Sequence, residues 1–163
     1  MKIIDKFLDT NDFTDLKNTL TSDKFPWYLN HGVSYAGDDS GILFTHLVYK
    51  DNEFNSSFTL GGLDIFKEKL GIVSLVRAKF NLLHRTDKII EHQPHIDIPN
   101  PPDNLKTAIL YLNTNNGYTK FENGEVVKSV RNRLVTFPAH LKYADSTCTD
   151  EEYRCIINLN YYK

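Results

Sequence analysis

The segment Glu91-His92-Gln93-Pro94-His95-Ile96-Asp97-Ile98-Pro99 holds the residues of this sequence best suited to chemistry. In an extended chain, side chains two positions apart project to the same face, so His95 and Asp97 can bring an imidazole and a carboxylate to one divalent metal ion. Such a pair recurs by chance, and its other reading is a surface histidine beside an aspartate. A third ligand would make it the two-histidine, one-carboxylate face that leaves positions open on non-haem iron. The rest of the chain reads as strands, long enough to bring one back.

The elements that must position this pair show in the periodicity. Asn11 or Asp12 is placed to cap a helix whose apolar residues Phe13, Leu16 and Leu20 fall on one stripe and which ends before Phe25-Pro26-Trp27. A second short helix is predicted over Leu63 to Leu70, with Gly71 as its stop. From Ile72 the period changes to two: Val76, Ala78, Phe80 and Leu82 alternate with Leu75, Arg77, Lys79 and Asn81, the pattern of a half-buried strand. Thr107 to Leu112 is a β-rich run ended by the turn-forming residues 113–117, and Tyr118 to Phe121 reads as its partner. Val126 to Val130, Arg133 to Phe137 and Tyr153 to Tyr161 complete the set. Short strands with turns between them, and helices confined to the first half, predict a sheet sandwich or barrel with helical cover. Pro99, Pro101 and Pro102 stiffen a loop, since strand signals resume at once. A single domain over residues 1–163 follows, with 1–71 as helical or mixed support and 72–163 as the β core.

Composition narrows the function classes. The 163 residues carry 19 Lys+Arg against 21 Asp+Glu, a net charge of −2, with no basic run to track a phosphate backbone, so nucleic acid is not the expected partner. At 40% hydrophobic residues the chain has material for a core and is no disordered segment. No apolar run approaches the roughly 18 residues of a membrane span, and the opening MKIIDKFLD is too charged for a signal peptide. A soluble, cytoplasmic protein is expected. Cys148 and Cys155 fit neither a disulfide framework nor a zinc pattern.

An ordered series of segments resembles one family. His95-Ile96-Asp97, then Thr107 to Asn113, Gly117 to Glu122, Asn132 to Phe137 and a closing Arg154 to Asn160 are similar to the Fe(II)/2-oxoglutarate-dependent oxygenases, in particular their short prolyl-hydroxylase-like members. The resemblance implies a double-stranded β-helix, a jelly-roll or cupin-like barrel with the N-terminal helices packed on it. It implies Fe(II) and 2-oxoglutarate held inside, with O₂ consumed and a protein, peptide or small-molecule C–H bond hydroxylated. His95 and Asp97 match the catalytic iron ligands. Arg154 matches the basic residue that pairs with the far carboxylate of 2-oxoglutarate, a task suited to a planar guanidinium, and Tyr111 matches a position whose hydroxyl assists that carboxylate. Their other readings are a surface strand arginine and a core aromatic.

One position departs from the pattern. The family's third ligand is a histidine six residues past the Phe of the Arg133 to Phe137 segment and ten or eleven before the basic anchor. Both rulers land on Tyr143, and the glycine that often follows two residues on is Asp145. The nearby imidazole is His140. Three residues apart on an extended chain, His140 and Tyr143 face opposite sides about 10 Å from one another, so they do not interchange without a bulge. Three readings stand: Tyr143 occupies the position with a hydroxyl of pKa ~10, a poor ligand for Fe(II); or His140 swings in; or Asp145 supplies an oxygen. The enzyme reading therefore has a rival of another class, the same barrel kept as an inactive binding or scaffold module. Arg77, Lys79 and Asn81 share one strand face and either line the pocket or meet solvent. His92 precedes the metal pair as a supporting residue at most, and His31, His46 and His84 find no partner by spacing.

Overall fold

The computed structural model of the protein describes residues 1–32, 41–56 and 61–163. Its elements run β1 (Lys2–Ile4), α1 (Thr10–Leu20), β2 (Tyr28–His31), β3 (Ile42–Lys50), β4 (Glu53–Phe54), α2 (Gly61–Leu70), β5 (Ser74–His84), β6 (Leu105–Tyr111), β7 (Tyr118–Phe121), β8 (Val126–Lys128), β9 (Arg133–Pro138), β10 (Tyr143–Asp145) and β11 (Tyr153–Tyr162). Among the described residues the strands form two sheets. The larger has eight strands in the order β1-β9-β6-β11-β5-β3-β2 with β4 on β3, and the smaller is β10-β7-β8. This is the jelly-roll architecture expected from the sequence.

The two-residue period of the central strands builds three layers. On β6, Ala108 and Leu110 face one way and Ile109 and Tyr111 the other; on β11, Cys155, Ile157, Leu159 and Tyr161 oppose Ile156. The first set packs with Phe13, Leu16 and Leu20 of α1 and Leu63, Phe66 and Leu70 of α2 in a helix-on-sheet core. The second set meets Phe121, Val127 and Tyr143 of the small sheet. Phe121, Phe137 and Tyr143 close this inner core edge to face, with ring centroids 4.8 and 5.4 Å apart around Phe137. The site lies beside it, between the sheets.

Several local expectations change. Helix α1 starts at Thr10 with Asp9 as the extended N-cap residue, two or three residues before the expected caps; Asp12 instead lies in the first turn, where a carboxylate suits the helix dipole. β7 does not pair with β6. It crosses to the small sheet between β8 and β10, while β6 lies between β9 and β11, because the turn at 113–117 carries the chain from one sheet to the other. The first 71 residues also supply four strands, β1 to β4, to the large sheet. His46 is buried on β3, where its Nδ1 meets the Pro26 carbonyl at 2.7 Å and its ring stacks near Phe25 and Phe80. Cys148 and Cys155 are free and buried. No described helix is long and apolar enough to cross a membrane.

Candidate functional site

Residues 91–95 lie antiparallel along β10. Backbone bonds join His95 and Tyr143 in both directions (2.9 and 3.0 Å), and the His92 N–H donates to the Asp145 carbonyl at 2.9 Å. His95 thus sits in a single bridge and Asp97 in the bend after it, yet both side chains line one cavity of about 80 Å³. The His95 ring packs 4.8 Å from that of Tyr143, and its Nδ1 faces the Gln93 carbonyl at 3.2 Å. A carbonyl only accepts, so Nδ1 is the donor in this contact. His92 is buried in this ladder.

Asp97 is held by four donors. Its Oδ1 accepts from Arg77 Nη1 at 3.1 Å, the Tyr143 hydroxyl at 3.0 Å and Asn158 Nδ2 at 3.3 Å, and its Oδ2 accepts from Asn160 Nδ2 at 3.0 Å. The side chain is only 5% exposed. Burial opposes its charge, but the Arg77 guanidinium, the Asn160 amide, His95 and the Tyr143 hydroxyl together hold its carboxyl below the usual range.

Tyr143 reaches this carboxylate from the position that both spacing rulers single out. It is fully buried, and its hydroxyl accepts from Asn158 Nδ2 at 2.7 Å while donating to Asp97. Burial first, then the negative charges of Asp97 and Asp145, raise its phenol well above the ordinary value, so it stays neutral. His140 is exposed in the turn after β9, and no bulge brings it to Asp97. Asp145 faces Arg154, away from this role. A ferrous ion needs three lone-pair ligands on one face. Here one is the His95 Nε2, one is a carboxylate whose Oδ1 is committed to three donors, and the third position holds a phenol donating its proton. Arg77 already supplies the positive charge opposite Asp97. Among the described residues no cluster of three or more His, Cys, Asp or Glu could hold a metal. The donor set does not fit the iron.

Arg154 is 1% exposed, between the sheets on β11. Nε donates to Ser129 Oγ at 2.8 Å, and Nη2 to Thr119 Oγ1 at 2.9 Å and Asp145 Oδ1 at 3.0 Å. The Tyr111 ring lies under the guanidinium carbon at 5.5 Å. The Tyr111 hydroxyl donates to Thr119 Oγ1, which donates to the same Asp145 oxygen, and burial pushes this phenol up to about 12. A buried cation needs an anion, and the chain provides its own in Asp145. That carboxylate stands against Arg154, where the far carboxylate of 2-oxoglutarate was expected. Arg154 Nη1 is buried without a partner among the described residues.

The inner face of β5 completes the site. Arg77, Lys79, Asn81 and Leu83 line the 80 Å³ cavity with His95, Asp97, Tyr143 and Asp145. Arg77, Lys79 and Asp97 also border an outer cleft of about 530 Å³. The alternation read in the sequence is real, but its polar side faces the barrel interior. Asn158 and Asn160, which bind Asp97 and Tyr143, were not singled out by spacing. Their signal was available: Arg154, Asn158 and Asn160 are polar at even positions of an otherwise apolar strand, and an amide in such a place needs a buried partner.

No family model matches the sequence, and no curated protein does. The fold has clear relatives among solved structures. A 2OG-Fe(II) oxygenase family oxidoreductase from Burkholderia pseudomallei superposes with TM-score 0.70 at 11% identity, covering 98% of this chain and 84% of that one. A Trichoplax adhaerens prolyl hydroxylase, solved with a hypoxia inducible factor peptide, gives 0.66 at 17% identity over 99% and 82%. A Pseudomonas putida prolyl-4-hydroxylase gives 0.64 at 14% over 99% and 92%. The chain has the fold of the 2-oxoglutarate oxygenases, prolyl hydroxylases included.

Proposed function

We propose that this chain is an oxygenase-fold binding module that has given up iron chemistry, the second of the two readings drawn from the sequence. The observation that supports it is the neutral Tyr143 hydroxyl, which falls where the family resemblance calls for a third ligand and donates to Asp97 beside the Arg77 guanidinium. The Asp145–Arg154 pair repeats this logic at the cosubstrate end. At about 80 Å³ the remaining cavity is well below the roughly 300 Å³ at which small-molecule pockets begin, so it suits a few-atom ligand. A cytoplasmic location belongs to the same proposal. The test is anaerobic addition of Fe(II) and 2-oxoglutarate to the purified protein. No visible metal-to-ligand charge-transfer band is expected, and a band of one-to-one stoichiometry would overturn the reading.

A second reading keeps the oxygenase activity. It is favoured by the unpartnered Nη1 of Arg154, a donor suited to a carboxylate, and by the free Nε2 of His95. In it Fe(II) is held by His95 and Asp97 after Tyr143 moves aside, with 2-oxoglutarate and O₂ as co-substrates and a peptide or small-molecule C–H bond as the target. The same spectrum decides between the two.

A further inference from the structure

The residues Arg77, Lys79 and Asn81 stand at alternate positions of β5, so their side chains rise from one face about 7 Å apart. All three line the inner cavity, and Arg77 and Lys79 also reach the outer cleft, which gives a route from solvent. Each keeps unused bonding capacity among the described residues. Arg77 bonds to Asp97 and Asn160 through Nη1 alone, leaving Nε and Nη2 for a second carboxylate. Lys79, half-buried, makes no ion pair within 4.0 Å. The Oδ1 of Asn81, a residue 9% exposed, is a buried acceptor with no donor. An unpaired amine, a guanidinium edge and an orphan acceptor in one cavity describe a ligand that carries an anion beside an electrophilic carbon.

We propose that Lys79 is a nucleophile that captures a small 2-oxo acid of two or three carbons as an imine, with Arg77 holding its carboxylate. The neutral amine adds its lone pair to the carbonyl carbon. A C–N bond forms as the C=O π pair moves to oxygen, which takes up the proton that the nitrogen releases. The carbinolamine hydroxyl donates to Asn81 Oδ1, then leaves as water with one further proton from nitrogen, giving C=N. One amine and one carbonyl yield one imine and one water, with no oxidation. The inner cavity, at about 80 Å³, is small, which limits the chain length. Burial first, then the Arg77 charge, lower the Lys79 ammonium to about 8, against the opposing pull of Asp97 and Asp145. His95 and Tyr143 are the other titratable groups facing it across the cavity.

The inference rests on iron staying out of this cavity, so the test reads both. Wild-type protein is incubated with glyoxylate and cyanoborohydride at pH 7, with and without Fe(II), and reduced adducts are mapped by peptide mass spectrometry. Lys79 should carry at least about tenfold more adduct than any exposed lysine, and Lys79→Arg should lose that adduct while surface labelling stays. Arg77→Lys should lower Lys79 labelling at low glyoxylate and recover at high. Labelling spread over surface lysines, with Lys79 at or below their mean, overturns the imine proposal and leaves the iron question untouched. Selective labelling that stoichiometric Fe(II) abolishes overturns instead the claim that the cavity excludes iron.

Discussion

The Tyr143 phenol ties two side chains together, donating its proton to Asp97 while accepting from Asn158. Tyr143→Phe removes both bonds inside a closed core, so it should cost about 1–3 kcal/mol in urea unfolding. Lys79 works in the other direction. Its ordinary value is 10.5 and the folded value about 8, so the folded state disfavours the ammonium. That cost is fully present below pH 8 and is relieved as the pH rises from 8 to 10.5, where the unfolded chain binds the extra proton. Lys79→Met should therefore be the more stable protein at pH 7, by up to about 3 kcal/mol, with the gap closing by pH 10.5 in paired urea titrations. Position 143 and Arg154 drew notice through the family resemblance, whose counts from Phe137 and to Arg154 both end on Tyr143, and the structure places both side chains in the interior. The Arg77–Asp97 pair was not legible, since it joins β5 to a loop 20 residues away and depends on the closure of the barrel.

The three-residue β10 is held by what flanks it. Its backbone pairs with β7 on one side and residues 91–95 on the other, and Asp145 at its end binds Arg154 on β11. Asp145→Ala leaves a buried guanidinium with only two hydroxyl partners, so about 3–5 kcal/mol of stability should be lost in a urea melt. Gly117, in the turn that carries the chain into β7, sits against the same arginine. A Cβ there would lie 2.8 Å from Arg154 Cδ, from Asn115 Oδ1 and from the Thr147 carbonyl, and the last is backbone that cannot swing away. Gly117→Ala should cost about 1–3 kcal/mol, measured the same way. Strand β5 was readable because alternation persists over it, and β6, β9 and β11 because they are runs rich in β-branched, aliphatic and aromatic residues. β3 was readable too, its Ile42–Lys50 run being rich in Ile, Leu, Phe, Val and Tyr, and it was overlooked. β1 and β10 have three residues each, too few for a period, and exist through their partners. The partner of β7 was misjudged because a turn signal says that the chain reverses, not which sheet receives it.

At the scale of the whole molecule, helices, large sheet and small sheet form three layers, and the polar cluster occupies the space between the sheets where solved relatives of this fold include oxygenases and prolyl hydroxylases. An ordered run of short motifs carried that architecture in the sequence. What the site can do depends on Tyr143 and Asp145, whose side chains answer Asp97 and Arg154 from within the chain. Anaerobic calorimetric titration of Fe(II) into wild type and Tyr143→His tests this most directly. Wild type should show no stoichiometric binding and Tyr143→His at least about 100-fold tighter binding, since an added direct ligand should exceed the 10–100-fold effect of a supporting one. One equivalent of Fe(II) bound by wild type, with an affinity that Tyr143→His leaves unchanged, would contradict this reading.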